Sequence, residues 1–147
     1  MKTAIMCEGI AKTYGTGELA ETVLRSVNLS IHAGQACILL GPSGSGKTTL
    51  LSILGCLLTP SAGSLVLDGQ AVDFNNKADC TSLRRQVLGF VFQHAQLLPF
   101  LSVQQNVSLV AENTGLSAQQ ANQRSKELFE HLGIAQFAHK KPAQLSG

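Results

Sequence analysis

The segment Gly41-Pro42-Ser43-Gly44-Ser45-Gly46-Lys47-Thr48 constrains this chain more than any other stretch. It has the form G-x-x-x-x-G-K-[S/T]. The apolar run Ala36-Cys37-Ile38-Leu39-Leu40 precedes it and a leucine-rich segment follows it. A run apolar at every position predicts a strand buried on both faces, as in a parallel sheet. The residues after the loop predict a helix with Leu50, Leu51, Leu54, Leu57 and Leu58 on one face, stopped by Pro60 and Gly63. Strand, glycine loop and helix in that order form a phosphate cradle. A triphosphate is held by backbone N–H groups only where side chains do not intrude, and Gly41, Gly44 and Gly46 permit that curve and close approach. The helix N-terminus adds a field that favours anions. On this reading residues Gly41 to Thr49 line the nucleotide. Lys47 reaches the β- and γ-phosphates, and the Thr48 hydroxyl ligates Mg²⁺. Average composition gives about 0.5% for a chance match in a chain of this length. The loop alone does not separate kinases, GTPases, motors and transporter ATPases.

The chain has 147 residues, 44% of them apolar and 14% charged, which predicts a folded domain with a hydrophobic core. Its formal net charge of +2 is too small a bias for a nucleic-acid partner, which requires a clustered basic face. Cys7, Cys37, Cys56 and Cys80 form no CxxC pair and read as reduced structural thiols, in keeping with a cytoplasmic setting. The first ten residues lack the apolar stretch of a signal peptide, and no run of eighteen apolar residues occurs. Membrane association is therefore expected through a partner protein.

Residues 4–14 and 23–32 read as strands. In the second, Val27, Leu29 and Ile31 alternate with Asn28, Ser30 and His32, so one face is buried. Asp68-Gly69 between 64–67 and 70–72 signals a tight hairpin. Residues 73–82 read as a polar loop, 83–87 as a short helical turn and 88–92 as a second apolar strand. Gln93 to Phe100, with Pro99, reads as loop. Residues 102–110 read as helix. A clearer helix starts at Ser117, which has Gln120 in a capping-box position, shows Ala118, Ala121, Leu128 and Leu132 on its inner face, and stops at Gly133.

Four stretches together resemble the ABC ATPase family, in that family's order. They are Tyr14 within KTYG, the loop and helix GPSGSGKTTLLSILGCL, the segment LGFVFQHAQLLPFLSVQQNV containing Gln93, and LSG at Leu145 to Gly147. The resemblance covers nearly the whole length. It implies an α/β P-loop NTPase fold of the ABC type, with an N-terminal antiparallel β subdomain and the start of a helical subdomain. The implied division is 1–93 for the β subdomain and P-loop core, and 94–147 for the Q-loop and helical subdomain. The C-terminal part of the core is expected to lie beyond these residues. Tyr14 would stack on adenine, and an aromatic face gives affinity with little base selectivity. Gln93 would bind Mg²⁺ or orient the attacking water. Ser146 and Gly147, at the opening of the LSGGQ signature, would contact the γ-phosphate of ATP held by a second ATPase subunit in a head-to-tail dimer. The other implied partner is a transmembrane permease, met through the Q-loop region. The setting would be the cytoplasmic face of the bacterial inner membrane. YGTGE with the short insertion after it, LGCL, and GFVFQ followed by LLP and NV most resemble the ATPases of lipoprotein release and macrolide export.

Three positions depart from that group's pattern. Lys-Thr closes the loop where Lys-Ser is frequent, and Gln35 and Gln105 stand where glutamate is usual. None of these removes a known catalytic atom. More consequential is the lack of an acidic pair after an apolar strand, and of a histidine in the order the family's switch position requires. Glu127 and Glu130 sit in a helical pattern, while His94, His131 and His139 do not match by order. Phosphoryl transfer needs a second acidic metal partner and a group that organises water. The expectation is therefore a chain that binds ATP, exposes an edge at 38–40, is poorly soluble alone and does not turn ATP over. The competing expectation is a non-catalytic, regulatory nucleotide-binding module or the product of a decayed gene. A DNA-repair or chromosome-organising relative would carry coiled-coil or zinc insertions that the compact interval lacks. A small-molecule kinase would not explain the Gln93 and LSG stretches.

Overall fold

The computed structural model describes residues 2–94 and 96–145. They form two compact units, Met1–Gly89 and Phe90–Gly147.

The first unit is built on an antiparallel sheet. Strand β1 (Thr3–Tyr14) pairs with β2 (Glu21–His32) along most of its length. On its other edge β1 pairs with β3 (Ala62–Leu67), which turns through Asp68-Gly69 into β4 (Gln70–Ala71). The order across the sheet is β2-β1-β3-β4. The Asp-Gly hairpin forms as its sequence predicts, with Asp68 at φ 49° and Leu67 opposite Gln70. Helix α1 (Lys47–Leu54) packs on this sheet, and α2 (Lys77–Gln86) adds Cys80 to the same core. Ile10, Ile53, Leu65 and Leu67 are its fully enclosed large side chains.

Four expectations for this unit are corrected. Helix α1 ends at Leu54, with Gly55 as its cap and Cys56 at φ 54°, so it stops well before Pro60. Its buried face is Leu50, Ile53 and Leu54, whereas Leu51 and Leu57 are exposed. The polar stretch read as a loop is helical from Lys77, because the Asn76 side chain accepts from the Ala78 and Asp79 amides and starts α2. Residues 36–40 form no strand. A strand is held by lateral hydrogen bonds, and this run pairs with none of β1 to β4. Ile38 is 79% and Leu40 88% exposed, while Leu39 alone packs against the core.

In the second unit, 90–92 are likewise not a strand. Val91 is fully exposed, and the Phe90 and Phe92 rings stack at 5.6 Å. Helices α3 (Val103–Asn113) and α4 (Ala118–His131) pack together, each opened by a complete capping box, Ser102 with Gln105 and Ser117 with Gln120. Gln105 fills the third helical position as glutamate would, so its departure from the family pattern costs no cap. The inner face of α4 is Ala121, Ser125 and Phe129, not the expected Ala118, Leu128 and Leu132. Leu132 is exposed, and Ser125 meets Ser108 of α3 at 3.2 Å. Gly133 follows α4 in a left-handed conformation, as its sequence position predicts.

Candidate functional site

The loop from Gly41 to Gly46 leads directly into α1. The ladder of α1 begins with the Leu50 amide donating to the Gly46 carbonyl at 2.8 Å. The amides of Lys47, Thr48 and Thr49 therefore precede any intrahelical partner and lie at the positive end of the helix. Gly46 has φ +86° and is buried. A Cβ there would stand 2.8 Å from Leu24 Cδ2 and 3.2 Å from the Val23 carbonyl oxygen of β2. Only glycine lets the loop lie this close to the sheet.

Lys47 is folded into the loop's own curve. Its Nζ donates to the carbonyls of Gly41 at 2.8 Å and Pro42 at 2.6 Å, and Ser45 Oγ lies at 3.4 Å. The Ser45 amide donates to the Pro42 carbonyl at 3.3 Å. The ammonium is thus centred where the main chain bends around it, at the start of a helix. Gly41, Pro42, Ser43, Gly44, Ser45 and Thr48 are exposed, and Thr49 is half-buried.

Tyr14 ends β1 opposite Glu21 and is 43% exposed. The register places Lys12, two residues earlier, opposite Leu24, and Leu24 is the side chain against Gly46. Tyr14 and the glycine loop therefore belong to the same end of the sheet. Lys12 itself was not singled out in the sequence. Its Nζ lies 5.3 Å from the Tyr14 ring centroid. The available signal was the period of two along a strand, which puts residues 12 and 14 on one face.

Gln93 lies in an exposed bend of the second unit, after residues that belong to no helix or strand. Ser146 and Gly147 lie outside the described residues. Among the described residues no three His, Cys, Asp or Glu side chains cluster as a metal cage. Mg²⁺ does not require one, since it keeps several waters and takes one or two protein oxygens together with substrate phosphates. The exposed Thr48 hydroxyl on the first turn of α1 is a donor of that kind. No helix among the described residues is long and apolar enough to cross a membrane.

A family model described as "ABC transporter" matches residues 24–147. The macrolide export ATP-binding/permease protein MacB of Escherichia coli is 39% identical over 147 residues, covering 100% of this chain and 23% of that protein. The "Putative hemin import ATP-binding protein HrtA" of Staphylococcus haemolyticus is 38% identical over 144 residues, covering 98% of this chain and 65% of that protein. Among solved structures, the dimeric ATP-binding cassette MJ0796 in a post-hydrolysis state bound to ADP and Pi superposes with a TM-score of 0.87 at 35% identity. That match covers 97% of this chain and 63% of the cassette, so this chain spans less than two thirds of the relatives it matches.

Proposed function

The chain belongs to the ABC transporter family, and on that premise we propose that it binds Mg²⁺-ATP at Gly41 to Thr49 as part of an ATPase that powers a membrane transport complex. The observation that carries this reading is Lys47 drawn into a curve of main chain at the start of α1, with Gly46 seated against β2. A fixed ammonium, amides at a helix N-terminus and a neighbouring hydroxyl are what a triphosphate requires. In this reading Lys47 holds the β- and γ-phosphates and Thr48 contributes an oxygen to Mg²⁺, which when bound neutralises charge on the phosphates. Tyr14 stacks on the base, Gln93 supplies a water- or metal-facing amide, and Ser146 and Gly147 reach nucleotide on a second copy.

The finer reading is an ATPase of the lipoprotein-release and macrolide-export group, docked on a permease at the cytoplasmic face of the inner membrane. Near-complete coverage of this chain by the macrolide exporters supports it. The division at residue 93, between P-loop core and helical arm, belongs to the same proposal. These 147 residues carry the cradle but no Asp-Glu pair after an apolar strand. We therefore propose that alone they bind nucleotide without turnover, and that exposure of Ile38, Leu40 and Val91 makes them poorly soluble.

Calorimetric titration of Mg²⁺-ATP into the chain and its Lys47→Ala variant tests the site. Binding that weakens at least about tenfold in the variant is expected. Equal affinity in the two proteins would refute the assignment. Steady-state phosphate release that disappears in Lys47→Ala would refute the proposed inactivity while leaving the site intact.

A further inference from the structure

We propose that Lys12 is a positioning residue for the nucleotide base: its ammonium holds the Tyr14 ring by one face and leaves the opposite face for adenine. This rests on reading Tyr14 as the base platform.

Three observations carry it. Lys12 Nζ lies 5.3 Å from the centroid of the Tyr14 ring, within the range at which a cation is drawn to an aromatic face. The same Nζ donates to the Thr59 carbonyl at 2.8 Å, so its position is fixed from two sides. Tyr14 nevertheless remains 43% exposed, which leaves ring surface for a second stacking partner.

The tether runs to a significant place. Thr59 lies in the connection from α1 to β3. That connection is tied to β1 three times more: the Thr13 amide donates to Ser61 Oγ at 3.0 Å, Ser61 Oγ donates to the Thr13 carbonyl at 3.4 Å, and the Ser61 amide donates to the Ala11 carbonyl at 2.8 Å. Lys12 therefore links the aromatic ring to main chain just beyond the helix that begins at the phosphate loop. Base platform and phosphate cradle are held to a common frame. A ring oriented before the nucleotide arrives loses less freedom on binding, so more of the stacking energy appears as affinity. With its ammonium committed to a carbonyl and a ring face, Lys12 acts on the base and not on the phosphates.

The chain has one tyrosine and no tryptophan, so its tyrosine emission reports Tyr14 alone. The test titrates Mg²⁺-ATP and inorganic tripolyphosphate into the whole chain and into Lys12→Met, Lys12→Arg and Tyr14→Ala, following heat and, where Tyr14 remains, emission. In Lys12→Met, ATP affinity should fall about two- to fivefold, with a smaller change in emission and unaltered tripolyphosphate affinity. Lys12→Arg should restore ATP affinity and the emission change. Parental ATP affinity in Lys12→Met would overturn the proposal. So would an equal loss for tripolyphosphate, which would make Lys12 a brace of the fold alone. If Tyr14→Ala weakens ATP while Lys12→Met does not, the platform stands without Lys12. If Tyr14→Ala has no effect, the platform itself fails and the proposal with it.

Discussion

Asn106 holds the main chain of Leu98 through both of its polar groups. Its Oδ1 accepts from the Leu98 amide at 2.7 Å and its Nδ2 donates to the Leu98 carbonyl at 3.2 Å. Nδ2 also meets the Ser102 carbonyl at 2.9 Å. The side chain is buried at the start of α3 and satisfies backbone groups of a proline-containing loop that has no ladder of its own. Asn106→Leu removes these partners and strands a part-buried amide, so a loss of about 1–3 kcal/mol is expected. Denaturant unfolding followed by helix circular dichroism measures it. A change under about 0.5 kcal/mol would show that the loop does not depend on Asn106.

Gly63 and Gly9 touch backbone to backbone where β3 crosses β1. A Cβ on Gly63 would stand 2.6 Å from the carbonyl carbon and oxygen of Gly9, and the φ of +97° is itself strained for any other residue. Neither obstacle is a flexible side chain that can swing away. Gly63→Ala should therefore cost about 2–4 kcal/mol, more than a left-handed φ alone, because the strand pair must also part. Gly69→Ala is the control, since a Cβ at Gly69 meets nothing within 4 Å and only its φ of +85° opposes it. Thermal midpoints of the two variants separate the terms, and equal shifts would remove the close approach from the account.

These contacts mark how far the sequence could be read. Period-two alternation in 23–32, the Asp68-Gly69 turn and the Ser117 capping box are local signals whose physics acts within a few residues, and the elements they foretell are present. The turn read at 83–87 is the end of helix α2, but its start was hidden because the polar composition of 73–82 suggested a loop, while the decisive signal was one side chain, Asn76, capping two amides. The runs 36–40 and 88–92 have the composition of buried strands but no lateral partner among the described residues, and strand formation is a non-local event. At the candidate site the curve around Lys47 was legible because the loop motif encodes backbone geometry. Lys12 was not, because its role depends on a ring and a carbonyl that β1 and the α1–β3 connection bring to it.

Exposure of the 36–40 run has a stability consequence. Ile38 is 79% exposed, so its side chain contributes little to the core. Ile38→Thr should change unfolding free energy by no more than about 0.5 kcal/mol, whereas Ile53→Thr, at a fully enclosed position, should cost several. The same Ile38 substitution should raise the concentration at which the chain stays monomeric, read by light scattering. A core-sized penalty at Ile38 would mean that the run is buried in solution.

Burial pushes the Cys56 thiol up to about 11 from 9, and the neighbouring Cys80 thiol adds to the shift. A thiol raised in the folded state binds its proton more tightly there than in the unfolded chain. The stabilisation is complete below pH 9 and is lost as pH rises from 9 towards 11, because only the unfolded chain ionises readily in that window. Unfolding free energy should thus decline with pH more steeply in the parent than in Cys56→Ala. Parallel slopes for the two proteins between pH 8.5 and pH 10.5 would show that the thiol is not buried.

The same contrast predicts thiol reactivity. Cys37 is exposed in the segment leading to the glycine loop, while Cys7, Cys56 and Cys80 are buried. A thiolate attacks, so a buried thiol with a raised pKa is slowed both by access and by its small ionised fraction. At pH 8 one equivalent of a chromogenic disulfide reagent should react at the rate of a free thiol, and Cys37→Ser should abolish that fast phase. The remaining thiols should follow at least about a hundredfold more slowly, governed by local opening. Two fast equivalents in the parent would show that a core cysteine is accessible. Slow labelling of Cys37 would show that residues 36–40 are covered in solution, and would put the exposure of that run itself in error.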